Sequence, residues 1–173
     1  MHTIALAQRD DLPTLQDIER RAAALFRTIP VTANLPADVT PLDRLEHAQR
    51  AGLLWVARIG PVPIGFALVE PLGDGLHLEE LDVLPEHGRK GVGRALVHEV
   101  CRHAQRERRT LSLCTFKDVP WNAPFYVRAG FRAIGAEELW PVLAERIREE
   151  AERGLGPDIR VAMRFVGDDP PPA

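Results

Sequence analysis

Features that often direct a functional assignment are scarce in this sequence. It has no stretch of about 18 uninterrupted apolar residues, and its 22 Lys and Arg are offset by 25 Asp and Glu. The first absence argues against a membrane-spanning protein, and the second against a broad cationic surface for nucleic acid or anionic lipid. The N-terminus lacks a cationic start followed by an apolar core. We therefore expect a cytoplasmic protein with neither nucleic acid nor membrane as partner.

Cysteine is also scarce. Cys101 and Cys114 are the two cysteines, and they are not spaced as a CxxC pair. Both lie in segments with an apolar period, where a cysteine usually acts as a small buried apolar residue. We therefore predict core positions for both, and neither a redox centre nor a metal site.

The remaining composition is that of an ordinary globular protein. Apolar residues make up 45% and charged residues 27% of the 173 residues, which is enough chain for one domain with a core. We predict a single domain over residues 1–166. The tail 167–173 combines prolines and charge without apolar anchors, so it is predicted to be disordered.

Periodicity and turn residues predict an α/β (α+β) fold with a mostly antiparallel sheet. Thr40 is expected to cap the second helix in a capping box closed by Asp43, and Gly52 to end it. The predicted strands cover residues 3–7, 53–59, 64–70, 76–83, 110–116, 131–137 and 159–165. The predicted helices cover residues 12–26, 41–51, 93–108, 121–130 and 140–154.

The strand 76–83 changes its apolar phase. Leu76 and Leu78 fall on even positions, whereas Leu81 and Val83 fall on odd ones. An extra residue at Glu79 and Glu80 would restore one apolar face, which is the effect of a β-bulge. The alternative is a strand that is buried on both faces after Leu81.

A glycine-rich turn follows this strand and precedes an amphipathic helix. Its sequence, "PEHGRKGVGRA" (85–95), contains three glycines and three cations: Gly88, Gly91, Gly93, Arg89, Lys90 and Arg94. Backbone N–H groups at such a turn converge on an anion, assisted by the helix dipole. The spacing matches neither the P-loop nor the dinucleotide pattern. The alternative is a surface turn with solvated cations.

Two stretches resemble the GNAT N-acetyltransferase family. "LDVLPEHGRKGVGRALV" (81–97) is similar to its acyl-coenzyme A signature, Arg/Gln-x-x-Gly-x-Gly/Ala, except that Gly88 occupies the first position and the arginine follows as Arg89. "WNAPFYVRAGF" (121–131) is similar to its second signature, a tyrosine followed four residues later by Gly-Phe. The resemblance implies a GNAT-like fold, with about seven strands splayed between the fourth and fifth and flanked by helices.

The resemblance also implies acetyl-CoA (coenzyme A) as the acyl donor. Pantetheine would lie between the strand ending at Val83 and the strand 110–116, bonded to backbone near Leu81 and Val83. The amide of Val83 or Leu84 would face the thioester oxygen. Asn122 is expected mainly to cap its helix, with a cofactor contact as a weaker expectation. The pyrophosphate would lie against Gly88, Arg89, Lys90, Gly91, Val92, Gly93 and Arg94.

The same resemblance suggests the groups that move protons. Tyr126, the single tyrosine, would protonate the departing thiolate; the alternative is a core tyrosine. For the base, Glu80 is the first choice because a residue at a bulge is re-aimed. His77 and Glu79 are the other candidates, since histidine ionises near neutral pH. Each of the three could equally be an ordinary strand residue.

The acceptor is predicted to be a small, partly apolar amine. In this fold it would be walled by Phe26, Ile29, Pro30, Leu35 and the helix from Trp140 onward. The expected function is an acetyl-CoA-dependent N-acetyltransferase for a small molecule, as monomer or homodimer. The alternatives are a protein or peptide N-acetyltransferase, and a non-catalytic acyl-CoA-binding sensor domain.

Overall fold

The computed structural model describes residues 1–30, 32 and 39–167. Within these residues the strands are β1 (Thr3–Leu6), β2 (Leu54–Ile59), β3 (Val62–Leu72), β4 (Gly75–Val83), β5 (Leu111–Phe116), β6 (Phe131–Ala133) and β7 (Arg160–Phe165). The α-helices are α1 (Leu12–Ala23), α2 (Leu42–Arg50), α3 (Val92–Arg106), α4 (Asn122–Arg128) and α5 (Pro141–Glu152). The predicted order of strands and helices is confirmed, with β6 shorter than expected.

The strands form a seven-stranded sheet in the order β1-β2-β3-β4-β5-β7-β6. The pairs β1–β2, β2–β3, β5–β7 and β6–β7 are antiparallel. The pair β4–β5 is parallel, and α3 makes the crossover connection that a parallel pair requires. The predicted fold class, a mostly antiparallel sheet flanked by helices, is thereby confirmed.

The chain divides into two compact units. The first comprises Met1–Glu70 and Leu78–His103, and the second comprises Pro71–His77 and Ala104–Ala173. In the first unit α1, α2 and α3 each bury an apolar stripe, represented by Leu15, Leu45 and Leu96. In the second, Leu143 of α5 packs in a core with Ile134 and Ala162.

The start of α2 differs from the prediction. Pro41, not Thr40, is the N-cap residue, and no side chain caps the helix. The amide of Thr40 donates to the two carboxylate oxygens of Glu19 at 2.9 and 3.0 Å, and its hydroxyl donates to the same group at 3.1 Å. Glu19 is buried, so its carboxylate must find donors within the protein. It takes those that Thr40 offers.

Other expectations have mixed outcomes. Cys101 is buried as predicted, whereas Cys114 is only half-buried. None of the helices in the described residues is both long and apolar enough to span a lipid bilayer. Residues 168–173 of the predicted disordered tail, and Leu35 of the predicted acceptor wall, lie outside the described residues. The single domain over residues 1–166 stays a prediction.

Candidate functional site

The glycine-rich turn joins β4 to α3 within the first unit. Pro85–His87 form a short 3-10 helix after Leu84, and Gly88 is extended, with φ −61° and ψ 155°. Arg89 and Gly91 then adopt left-handed conformations, with φ of 57° and 81°. Successive amides in a turn with left-handed residues can point toward one side and form an anion-binding concavity.

The first turn of α3 adds further amides. The helix begins at Val92, and the amide of Ala95 donates to the carbonyl of Gly91 at 3.0 Å. The amides of Val92, Gly93 and Arg94 precede this bond, and the first amides of any helix have no intrahelical acceptor. Together with the positive end of the helix dipole, they can hold an anion.

The side chains of this turn are of two kinds, one buried in the core and three exposed on the surface. Val92 is buried, so only its backbone amide is available to a ligand, whereas Arg89, Lys90 and Arg94 are exposed. A Cβ atom at Gly91 would meet nothing within 4 Å, so the space beside this backbone is open. That space belongs to a groove of about 300 Å³ lined by Ile4, Gly91, Arg94, Ala95, His98 and Glu99.

The end of β4 narrows the prediction for the thioester oxygen. The amide of Leu84 donates to the carbonyl of Ile64 at 2.9 Å, and the Leu84 side chain is buried. An amide already bonded within the fold cannot serve as a free donor to a ligand. The expectation of Val83 or Leu84 therefore narrows to Val83, and Leu84 keeps a structural role.

The side chains of β4 differ in burial and in their charged neighbours. Glu79 pairs with Arg44 of α2, and the charge of Glu19 on α1 acts on Asp82. Strict alternation would place positions 79 and 82 on opposite faces of the sheet. The β-bulge at Glu79 and Glu80 stays a prediction. Leu81 is half-buried on this stretch.

The predicted bases have unequal surroundings. His77 is buried, and its Nδ1 lies 2.9 Å from Ser112 Oγ. The Glu79 side chain is 11% exposed, and Arg44 Nη2 donates to it at 2.9 Å. Arg44 also donates to Glu70, and this hydrogen bond raises the pKa of the guanidinium further. Glu80, the first choice, is half-buried at the predicted bulge.

Sequence reasoning missed Asp82. Burial in the first unit, followed by the negative charge of Glu19, raises the pKa of Asp82 to about 8. Burial also raises the pKa of Glu19, although its hydrogen bonds from Thr40 oppose the change. The available signal was an acidic residue between Leu81 and Val83, directly after the phase change.

The predicted residues of α4 lie in the second unit. Tyr126 is half-buried, with edge-to-face contacts to Phe125 and Phe131 at ring-centroid distances of 5.0 and 5.8 Å. The prediction that Asn122 caps α4 is wrong, because Trp121 is the N-cap residue and no side chain caps the helix. The Asn122 amide instead donates to the carbonyl of Val119 at 3.0 Å, and Asn122 is the first residue of the helix.

A second polar cluster lies in the same unit. Ligand-type atoms of His77, Cys114 and Glu150 lie within 4.8 Å of one another. Their donor types suit a transition metal. Glu150 nevertheless lies 3.6 Å from Arg146 and 3.5 Å from Arg160, and two guanidinium groups oppose a further cation. A mostly apolar cavity of about 220 Å³ adjoins the cluster.

Comparison with known proteins identifies relatives of this architecture. A model of the acetyltransferase (GNAT) family matches residues 16–131. A coenzyme A complex of the PaiA N-acetyltransferase from Thermoplasma acidophilum is 14% identical, with a TM-score of 0.65 over 95% of this chain and 98% of that chain. A Mycobacterium tuberculosis protein, also bound to coenzyme A, is 19% identical, with a TM-score of 0.71 over 95% and 98%.

A third solved structure is the ribosomal-protein-S18-alanine N-acetyltransferase from Escherichia coli. It is 20% identical, with a TM-score of 0.64 over 95% of this chain and 93% of that chain. At these identities the solved structures establish a shared fold. They leave the acceptor of this chain open.

Proposed function

Because the chain belongs to the GNAT acetyltransferase family, we propose that it is an acetyl-CoA-dependent N-acetyltransferase that acts on the amine of a small molecule. The turn between β4 and α3 is the observation that carries the proposal. It combines the first amides of a helix, which have no intrahelical acceptor, with two left-handed residues and an open space beside Gly91. A pyrophosphate needs this kind of backbone approach.

The cofactor would bind along the end of β4 and the turn after it. The amides of residues 91–94 would hold the pyrophosphate, with Arg89, Lys90 and Arg94 adding positive charge. The Val83 amide would donate to the thioester oxygen, because the Leu84 amide is bonded to Ile64. A fixed donor at that oxygen stabilises the charge that develops as the amine attacks.

The reaction requires two proton transfers. An amine arrives largely as its ammonium form, so a base must take a proton before nitrogen attacks the thioester carbon. The tetrahedral intermediate then breaks its C–S bond, and the coenzyme A thiolate takes up a proton. We assign the second transfer to Tyr126, whose ring is held by Phe125 and Phe131. Glu80, His77 and Glu79 are candidates for the first.

A small acceptor is favoured by the cavity in the second unit. Its volume of about 220 Å³ suits a compact molecule, and Ile134, Leu139 and Ile147 give it an apolar lining. Glu150 and Arg160 supply polar groups at one part of that lining. A peptide acceptor would favour an open groove instead.

A panel of acceptors with acetyl-CoA tests the proposal. We suggest 2-phenylethylamine, cadaverine, glutamate and a hexapeptide with a free N-terminal alanine, each followed by release of free thiol. Turnover of a small amine above the peptide is expected. Turnover of the peptide alone would favour the protein acetyltransferase. Tight acetyl-CoA binding without thiol release for any compound would favour the sensor domain.

A further inference from the structure

The first unit contains several acidic side chains that differ in how many hydrogen-bond and ion-pair partners their carboxylates have. Glu70 and Glu79 pair with Arg44, and Glu19 accepts three hydrogen bonds from Thr40. Asp82 differs from these. Its Oδ2 atom is fully buried and has no hydrogen-bond partner among the described residues. A fold seldom keeps a buried carboxyl oxygen unbonded unless the group has a function.

Close packing of the backbone fixes the position of Asp82. A Cβ atom at Gly65 would lie 2.7 Å from the Asp82 carbonyl oxygen and 3.1 Å from Val83 Cγ2, so only glycine fits there without displacement. The Leu84 amide then bonds to the Ile64 carbonyl, one residue earlier on β3. These contacts hold residues 82–84 against β3 at the end of β4.

We propose that Asp82 is the general base that takes the proton of the acceptor's ammonium group, and that Glu19 tunes it for this step. The inference rests on the proposed function, and it names a residue for the base. Asp82 adjoins Val83, whose amide is assigned to the thioester oxygen. Because Asp82 directly precedes Val83 in the chain, its carboxylate would take the proton close to the thioester, directly or through one water.

The step balances as follows. The Asp82 carboxylate takes a proton from R–NH₃⁺ and becomes a carboxylic acid, leaving R–NH₂. The nitrogen forms a bond to the thioester carbon, the C–S bond breaks, and the sulfur leaves as thiolate. The thiolate takes a proton from Tyr126, and the second N–H proton of the nitrogen replaces it on Tyr126 through solvent. The products are the N-acetyl amine and coenzyme A, and Asp82 later releases its proton to solvent.

The surrounding charges suit this role. The charges of Arg44 on α2 and Arg20 on α1 act on Glu19, and Glu19 acts on Asp82. Arg44 is itself paired with Glu70 on β3 and Glu79 on β4. Burial and Glu19 raise the pKa of Asp82 to about 8. A base is most effective when its pKa lies near the working pH, whereas an ordinary carboxylate is too weakly basic for an ammonium group.

The pH dependence of kcat/KM tests the inference, using the most active amine of the panel. In the wild type the rate should rise with pH and level off above an apparent pKa near 8. Asp82→Asn should lower kcat/KM by about 10²–10⁴-fold and remove this rising limb of the pH profile. The affinity for acetyl-CoA should be unchanged. Glu19→Gln should move the limb to lower pH, because it removes a negative charge. Glu46→Gln on α2, whose carboxylate pairs with the exposed Arg50, is the control and should change neither.

Two results would overturn the inference. One is an Asp82→Asn variant that keeps its activity and its limb; the other is loss of the limb in Glu80→Gln but not in Asp82→Asn. If no amine in the panel is turned over, the proposed function fails first. Carbon-13 NMR of labelled aspartate then still decides for Asp82, because a carboxyl that titrates in the ordinary range near 4 refutes the assignment.

Discussion

The amide of Leu84 donates to the carbonyl of Ile64 at 2.9 Å, which ends the series of amides available at the carboxyl end of β4. Farther along the chain, after the left-handed Arg89 and Gly91, lie the amides of the first turn of α3, which have no intrahelical acceptor. A cofactor along this edge would therefore meet two groups of donors. Val83 would face its thioester, and residues 91–94 would face its pyrophosphate.

Substitution at Gly91 tests the second group. A β-branched residue at φ of 81° is strained, and its side chain would enter the open space beside the turn. We expect Gly91→Val to lower acetyl-CoA affinity at least ~10-fold, or ~1.4 kcal/mol, in calorimetry. Gly154→Val is a matched control, since Gly154 also has a positive φ, of 84°, and open space around it. Equal affinities in the two variants would refute the pyrophosphate assignment.

Tyr126→Phe separates catalysis from packing. The substitution keeps the ring contacts to Phe125 and Phe131 and removes one proton donor. We expect kcat to fall about 10- to 100-fold, at the low end for general acid catalysis because a thiolate is a good leaving group. Acetyl-CoA affinity and melting temperature should change little. Full activity with a lowered melting temperature would assign Tyr126 to the core.

The stability of the protein should depend on Asp82 above pH 4. Its folded-state pKa is raised, so the folded chain binds a proton that the unfolded chain has already lost. The free energy of unfolding should therefore fall as pH rises from about 4, the ordinary aspartate value, to about 8. Denaturant unfolding of Asp82→Asn should show a flatter curve and a gain relative to the wild type at pH 8. Parallel curves for the two proteins would contradict the raised pKa.

The pair of Asp11 and Arg58 gives the opposite pH dependence. Burial raises the pKa of Asp11, but hydrogen bonds from Arg58 and the Gln8 amide outweigh burial and leave the pKa below its ordinary value. Its stabilisation is present above the ordinary pKa and is lost as pH falls through the lower folded-state value. We expect Arg58→Met to cost ~1.5–3 kcal/mol at pH 7, and less in acid.

A matched substitution controls for the loss of charge. Arg50 pairs with Glu46 on α2, and its side chain is 71% exposed. Arg50→Met should change the free energy of unfolding by less than ~0.5 kcal/mol, because exposed pairs contribute little. If Arg50→Met lowered the free energy of unfolding as much as Arg58→Met does, the ion pair of Asp11 and Arg58 would stabilise the fold no more than an exposed pair.

Periodicity and glycine placement were sufficient for the fold. The order of elements, the antiparallel hairpin β2–β3 and the turn before α3 follow from local pattern, which the structure retains. Two predicted helix caps were wrong. A tertiary contact explains the first, at Thr40, and a local backbone bond explains the second, at Asn122. Thr40 bonds to Glu19, which lies 21 residues away in sequence, whereas Asn122 is itself the first residue of α4 and its amide bonds to the nearby carbonyl of Val119.

The candidate site was less accessible to sequence reasoning. The turn could be read because its chemistry belongs to the backbone and to adjacent residues. The environment of Asp82 depends on Glu19 and on the close approach of Gly65, which are distant in sequence. Such a carboxyl looks like any polar strand position until its neighbours are known.

Amide chemical shifts measure the central claim most directly. In an NMR titration of the full chain with acetyl-CoA, we expect the largest amide shifts at Val83 and residues 91–94, with a smaller shift at Leu84, whose amide is bonded to Ile64. Titration with acetate alone controls for the acyl group. Saturable shifts confined to other parts of the chain, or no shifts at millimolar acetyl-CoA, would contradict the account.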